Sequence, residues 1–213
     1  MMKRRASKVI RVGGVKIGGA GPIVVQSMTK TDTRNVKSTV RQIRQLEECG
    51  CEIVRVAVPD TDAARAILDI KKKIAIPLIA DIHFDYRLAL EALKSGADGL
   101  RLNPGNISDP EHIAKVVRAA KKRKIPIRIG VNAGSLPKSV KKRASVVERM
   151  VDAARDEIKL LESLDFDLIK VSLKAFDVPA TIEAYEAIAK KIPYPLHLGI
   201  TEAGLPWAGS IRS

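Results

Sequence analysis

Three short apolar runs each carry one arginine between aliphatic neighbours: Val54-Arg55-Val56, Leu100-Arg101-Leu102 and Ile127-Arg128-Ile129. A fourth run repeats the pattern with lysine, Ile169-Lys170-Val171, and continues through Ser172 and Lys174. In a strand, alternate side chains point to opposite faces. If the aliphatic residues face a helix layer, every one of these cations faces the other side. Buried charges are costly unless something pairs them. One pairing is with a strand-end carboxylate such as Asp81. The alternative is a shared anion, and arginine's planar fork suits phosphate oxygens bidentately. Several cations converging on one point need a polyanion, which points to a small molecule carrying a diphosphate.

The loops that follow these runs add polar groups. They are Asp81-Ile82-His83-Phe84-Asp85, Asn103-Pro104-Gly105-Asn106, Asn132-Ala133-Gly134-Ser135 and Thr201-Glu202-Ala203-Gly204. Asp81 and Asp85 suit helix capping and backbone anchoring as well as they suit ligand contact. His197 lies inside an apolar run, where a histidine is more often part of the core than a ligand. Asp-x-His alone is a weak metal signal. There is no Walker loop, no dinucleotide fingerprint after the first strand and no nucleophile elbow.

These residues need a frame. Strands are expected at 22–26, 52–58, 77–80, 99–102, 126–131, 168–173 and 195–200, with helices at 36–48, 61–73, 85–95, 110–122, 145–163 and 179–191. Asp60 and Asp109 read as N-caps. Alternating strands and helices of these lengths mean right-handed βαβ units and a parallel sheet. Seven in series argue for a (β/α) barrel of the TIM type, whose active site lies at the C-terminal ends of the strands. Such a barrel has eight strands, so this one is expected to be incomplete, with residues 22–213 stopping before the eighth. Residues 9–21, with Ile10, Val12, Val15 and Ile17 around Gly13-Gly14, read as a short hairpin, so that 1–21 would cap the barrel.

Composition narrows the partners. The 213 residues include 38 Lys plus Arg against 24 Asp plus Glu, a net charge of +14, with 46% hydrophobic and only 3% aromatic residues. The charge favours anionic partners. Single-strand nucleic-acid binding uses aromatic stacking platforms among the basic residues, which are scarce here. No apolar run approaches the roughly 18 residues of a membrane span, and the basic start of the chain is not followed by the apolar segment of a secretory signal. A cytoplasmic location is the expectation. The two cysteines, Cys49 and Cys51, are too few for a metal site and read as small buried thiols.

Read in order, the loops resemble one family. The runs are Val24-Val25-Gln26-Ser27-Met28-Thr29, Gly50-Cys51-Glu52-Ile53-Val54-Arg55-Val56, Ala80-Asp81-Ile82-His83-Phe84-Asp85-Tyr86, Leu102-Asn103-Pro104-Gly105-Asn106, Arg128-Ile129-Gly130-Val131-Asn132-Ala133-Gly134 and Leu196-His197-Leu198-Gly199-Ile200-Thr201-Glu202-Ala203-Gly204. They are similar to the signatures of the bacterial-type 4-hydroxy-3-methylbut-2-enyl diphosphate synthases, across nearly the whole chain. The resemblance implies reductive ring opening of 2-C-methyl-D-erythritol 2,4-cyclodiphosphate in the non-mevalonate isoprenoid pathway. It implies flavodoxin or ferredoxin as electron donor, a 4Fe–4S cluster and a homodimer; on composition, neither nucleic acid nor membrane is expected as a partner. The resemblance assigns Arg55, Arg101, Arg128 and Lys174 to the diphosphate, with Asn132 beside them, and Glu202 to acid–base work near the reacting carbon; Asp81, His83, Asn103 and His197, read from the loops and the last apolar run, join them as expected substrate contacts. The family's cluster ligands, three cysteines and a glutamate in a C-terminal domain, have no counterpart in this chain, so no cluster is expected on it and no activity from it alone. Phe176 stands where the family has serine. Two other readings compete: a pterin-binding barrel of the dihydropteroate synthase kind, and a non-catalytic basic barrel.

Overall fold

A computed structural model describes residues 5–102, 107, 109–136, 144–201 and 203–212. Two strands, β1 (Ile10–Val12) and β2 (Val15–Ile17), form an antiparallel hairpin. The chain then runs β3 (Gln26–Met28), α1 (Val36–Glu48), β4 (Ile53–Ala57), α2 (Thr61–Lys71), β5 (Leu78–Ile82), α3 (Tyr86–Lys94), β6 (Gly99–Leu102), α4 (Pro110–Lys122), β7 (Ile127–Asn132), α5 (Val146–Ser163), β8 (Ile169–Lys174), α6 (Val178–Ala189) and α7 (Pro206–Arg212). Strands β3 to β8 form one parallel sheet in sequence order, curled with the helices outside: an incomplete TIM-type barrel.

Local chemistry fixes the helix starts. Asn35, Asp60, Asp85, Asp109 and Asp177 each accept a backbone N–H of the first turn, and Ser145 forms a reciprocal capping box with Glu148. Helix α2 buries Ala63, Ala64, Ile67 and Ile70, the spacing of a single helical face. Against such faces pack the outward residues of the strands: Val54 and Val56, Leu78 and Ala80, Leu100, Ile127 and Ile129, Ile169 and Val171. A smaller apolar cluster joins Val12 of the hairpin to Ile53 and Ile79, at the N-terminal end of the sheet's inner face.

The structure corrects the expected elements at four places. The first parallel strand begins at Gln26 rather than at residue 22, because Pro22 has no N–H and the N–H of Val25 is taken by the Glu52 carboxylate. The run expected as a strand over 195–200 makes one parallel bridge, Val171 to Leu196. Its ladder is interrupted because the Tyr185 hydroxyl sits between the partners, accepting from Leu173 N–H and donating to the His197 carbonyl. Helix α7 arises in a segment for which no element was expected. Cys49, expected buried, is exposed as the C-cap of α1, while Cys51 is buried with its thiol on the Ile53 carbonyl.

Candidate anion site

The parallel register carries the cations onto adjacent strands. Asp81 pairs with Arg101, Arg101 with Arg128, and Arg128 with Lys170, each across one sheet neighbour. Arg55 lies on β4, one strand before Asp81. The inward positions of β7 and β8 continue through Asn132, Ser172 and Lys174. Arg55, Asp81, His83, Arg101, Arg128, Asn132 and Lys174 line one cavity of about 230 Å3, together with Met28, Ser172 and Thr201.

Within it Asp81 is the shared carboxylate. Its Oδ2 is 3.3 Å from Arg55 Nε and its Oδ1 is 3.1 Å from Arg101 Nη1. Pairing with a strand-end carboxylate therefore accounts for two of the three arginines. It does not account for the third. Arg128 is 3% exposed, and its Nε and Nη1 have no hydrogen-bond partner among the described residues; Arg101 Nε is in the same state. Buried donors left unpaired cost about 1–3 kcal/mol each, more when charged. Burial, then the charges of Arg55 and Arg101, push the Arg128 guanidinium down to about 9. Burial with Arg128, Arg55 and Arg101 nearby likewise lowers Lys174 to about 8. Among the described residues the cavity thus holds positive charge in excess of its one carboxylate, with buried N–H groups left unpaired in its walls, an arrangement suited to an anion.

Met28 was not singled out by its sequence. Its thioether accepts from Arg55 Nε at 3.1 Å and Nη2 at 2.9 Å, a weak acceptor holding a strong donor. The available signal was its place two residues after Gln26 on the first strand. His197 stands apart from the cavity: with Gln26 and Lys170 it lines a neighbouring one of about 470 Å3. Burial and the surrounding cations hold its imidazole far below the usual histidine range. Asn103 and Glu202 lie outside the described residues.

A family model described as the GcpE TIM-barrel domain matches residues 7–213. The chain is 63% identical over its whole length to the 4-hydroxy-3-methylbut-2-en-1-yl diphosphate synthase (flavodoxin) of Dehalococcoides mccartyi, and 60% identical to that of Thermodesulfovibrio yellowstonii. It spans 61% and 62% of the length of those two proteins. Among solved structures it is similar to 3-dehydroquinate dehydratase from Geobacillus kaustophilus, with a TM-score of 0.66 at 17% identity, covering 98% of this chain and 83% of that one. It is also similar to Yersinia pestis dihydropteroate synthase, with a TM-score of 0.67 at 8% identity, covering 92% and 76%. At these identities the structural likenesses are likenesses of fold.

Proposed function

The chain belongs to the GcpE TIM-barrel family, and on that premise we propose that it supplies the diphosphate-binding barrel of a 4-hydroxy-3-methylbut-2-enyl diphosphate synthase. The substrate is 2-C-methyl-D-erythritol 2,4-cyclodiphosphate. Two electrons and two protons enter, the ring opens at carbon, and one water leaves with formation of the linear allylic diphosphate. The observation that carries this reading is Arg128, buried beside Arg101 and lining the same cavity, with two N–H-bearing atoms unpartnered among the described residues. Arg55, Arg101, Arg128 and Lys174 hold the diphosphate oxygens, with Asn132 beside them. Asp81 orients two of the arginines. His83, Asn103 and His197 complete the substrate contacts, and Glu202 serves as acid or base near the reacting carbon. Of the expected cap at 1–21, residues 1–4 lie outside the described residues; the hairpin caps the N-terminal end of the barrel, a role supported by the packing of Val12 on Ile53 and Ile79.

In the intact enzyme a 4Fe–4S cluster would supply the two electrons, drawn from flavodoxin, in keeping with the relatives' names, or from ferredoxin. The residues present do not fit that cluster. Cys49 and Cys51 stand at the turn from α1 into β4, one thiol exposed and the other bonded to a carbonyl, and two thiolates fall short of the usual four ligands. No group of three or more His, Cys, Asp and Glu able to hold a metal occurs among the described residues. On the chemistry of these two thiols we place the cluster ligands outside residues 1–213, and we take the working assembly to be a homodimer. No helix among the described residues is long and apolar enough to cross a membrane, and the cytoplasm is the proposed compartment.

Single Arg→Ala changes at positions 55, 101 and 128 in the full-length enzyme test this. Each is expected to weaken substrate binding by about 1.5–3 kcal/mol, the scale of hydrogen bonds to charged groups. Unchanged kinetics in all three would contradict it.

A further inference from the structure

One buried cation has no part in the site as described. Lys170 is 4% exposed and sits beside Arg128 in the β7–β8 register, two positions toward the N-terminal end from Ser172, which lines the anion cavity. Its ε-amino group donates to Gln26 Oε1 on β3 at 3.3 Å. Among the described residues no carboxylate lies within ion-pair distance of it.

The groups that face it are known from each neighbouring element. Arg128 comes from β7, Arg55 from β4 and His197 from the segment after α6, while Gln26 on β3 is neutral. Arg5 lines the same cavity as Lys170, but its guanidinium donates to the carbonyls of Ala189, Ile192 and Tyr194. Asp81 is already divided between Arg55 and Arg101. A buried ammonium next to a guanidinium, without a counter-ion, is expensive. A guanidinium does not give up its proton in such a setting, whereas a lysine does. Burial first, then Arg128 and Arg55, lower Lys170 to about 7. Burial first, and then the surrounding cations, hold His197 neutral. The empty lumen thus sheds charge at Lys170. A polyanion seated over Arg128 reverses the balance, because it attracts the charge beneath that arginine as well.

We propose that Lys170 is a positioning residue whose amine takes a proton from solvent when the diphosphate binds, placing a second row of positive charge behind Arg128, and returns it on release. This rests on the reading of the arginine cavity as the diphosphate site. Calorimetric titration of the protein with inorganic diphosphate at about pH 8, in buffers of different ionisation heat, counts the protons taken up. Lys170→Met and Lys170→Arg are both expected to bind diphosphate while taking up about one proton fewer than the unmodified protein. The comparison between proteins cancels the ligand's own proton change. Lys170→Arg keeps the charge and most of the stem, so it reports even if the methionine variant does not fold. Equal uptake in the unmodified protein and Lys170→Arg overturns the proposal for Lys170 and leaves the site standing. Failure of the unmodified protein to bind diphosphate takes down both.

Discussion

A Cβ added at Gly130 would lie 2.7 Å from Nε of Arg101. Glycine on the inner face of β7 therefore makes room for the guanidinium of the neighbouring strand, next to Arg128. Backbone strain is not involved, since Gly130 is not among the glycines of positive φ. In Gly130→Ala the side chain of Arg101 has to move, and with it one charged donor of the site. Diphosphate binding should weaken by about 1.5 kcal/mol or more, and unfolding free energy should fall by about 1–3 kcal/mol, the scale of an overpacked buried site. Calorimetric titration and urea unfolding check the two halves, and an unchanged affinity would contradict the assigned role.

That glycine also marks where sequence reading stops. The isolated cations between aliphatic neighbours were legible, because strand alternation leaves them one face to occupy. Helix starts were legible from Asp60 and Asp109, whose caps act locally. The use of Gly130 was not, since it depends on a side chain twenty-nine positions earlier on another strand. Nor was the broken ladder at 195–200, whose residues read as a strand until the Tyr185 hydroxyl takes the place of a backbone partner. Asp81 was left open between capping, ligand contact and pairing with the strand arginines, and the structure shows the pairing, a bridge between two of them.

That bridge is a structural necessity in the empty site. Asp81 and Arg101 are buried, and Arg55 is 19% exposed at its side chain. Asp81→Asn leaves two cations without their carboxylate and is expected to cost about 3 kcal/mol of stability. Added diphosphate should then raise the thermal midpoint more in the variant than in the unmodified protein, because the ligand supplies the missing charge. Equal midpoints without ligand would show that the bridge does not stabilise the fold.

Lys174 sets a pH dependence. Its ammonium is the form that binds an anion, and burial with the three arginines lowers it to about 8. Below that value the charge is already in place. As pH rises through it, binding has to draw a proton as well, so affinity for inorganic diphosphate should fall. Lys174→Met should bind more weakly at neutral pH and lose part of the alkaline decline. A profile identical to that of the unmodified protein would remove Lys174 from the site.

Several apolar side chains are exposed before β3, after the single bridge and on α7. Ile23 is 79% and Val25 54% exposed before β3, Leu198 is 69% exposed after the single bridge, and Trp207 and Ile211 of α7 are 85% and 82% exposed. Open strand edges with apolar surroundings template association. Residues 1–213 alone should self-associate, with a light-scattering mass that rises above 23.2 kDa as concentration increases, and Trp207→Glu should reduce the effect. A constant monomer mass would show that these groups are tolerated in water.

The central claim is that the cavity between Arg55, Arg101, Arg128 and Lys174 is the seat of a diphosphate. A crystal structure grown with 2-C-methyl-D-erythritol 2,4-cyclodiphosphate tests it most directly. The expected result is both phosphorus atoms inside that cavity, with Arg128 Nε and Nη1 donating to phosphate oxygens. Ligand density elsewhere on the molecule, with the Arg128 donors still unpartnered, would contradict the account.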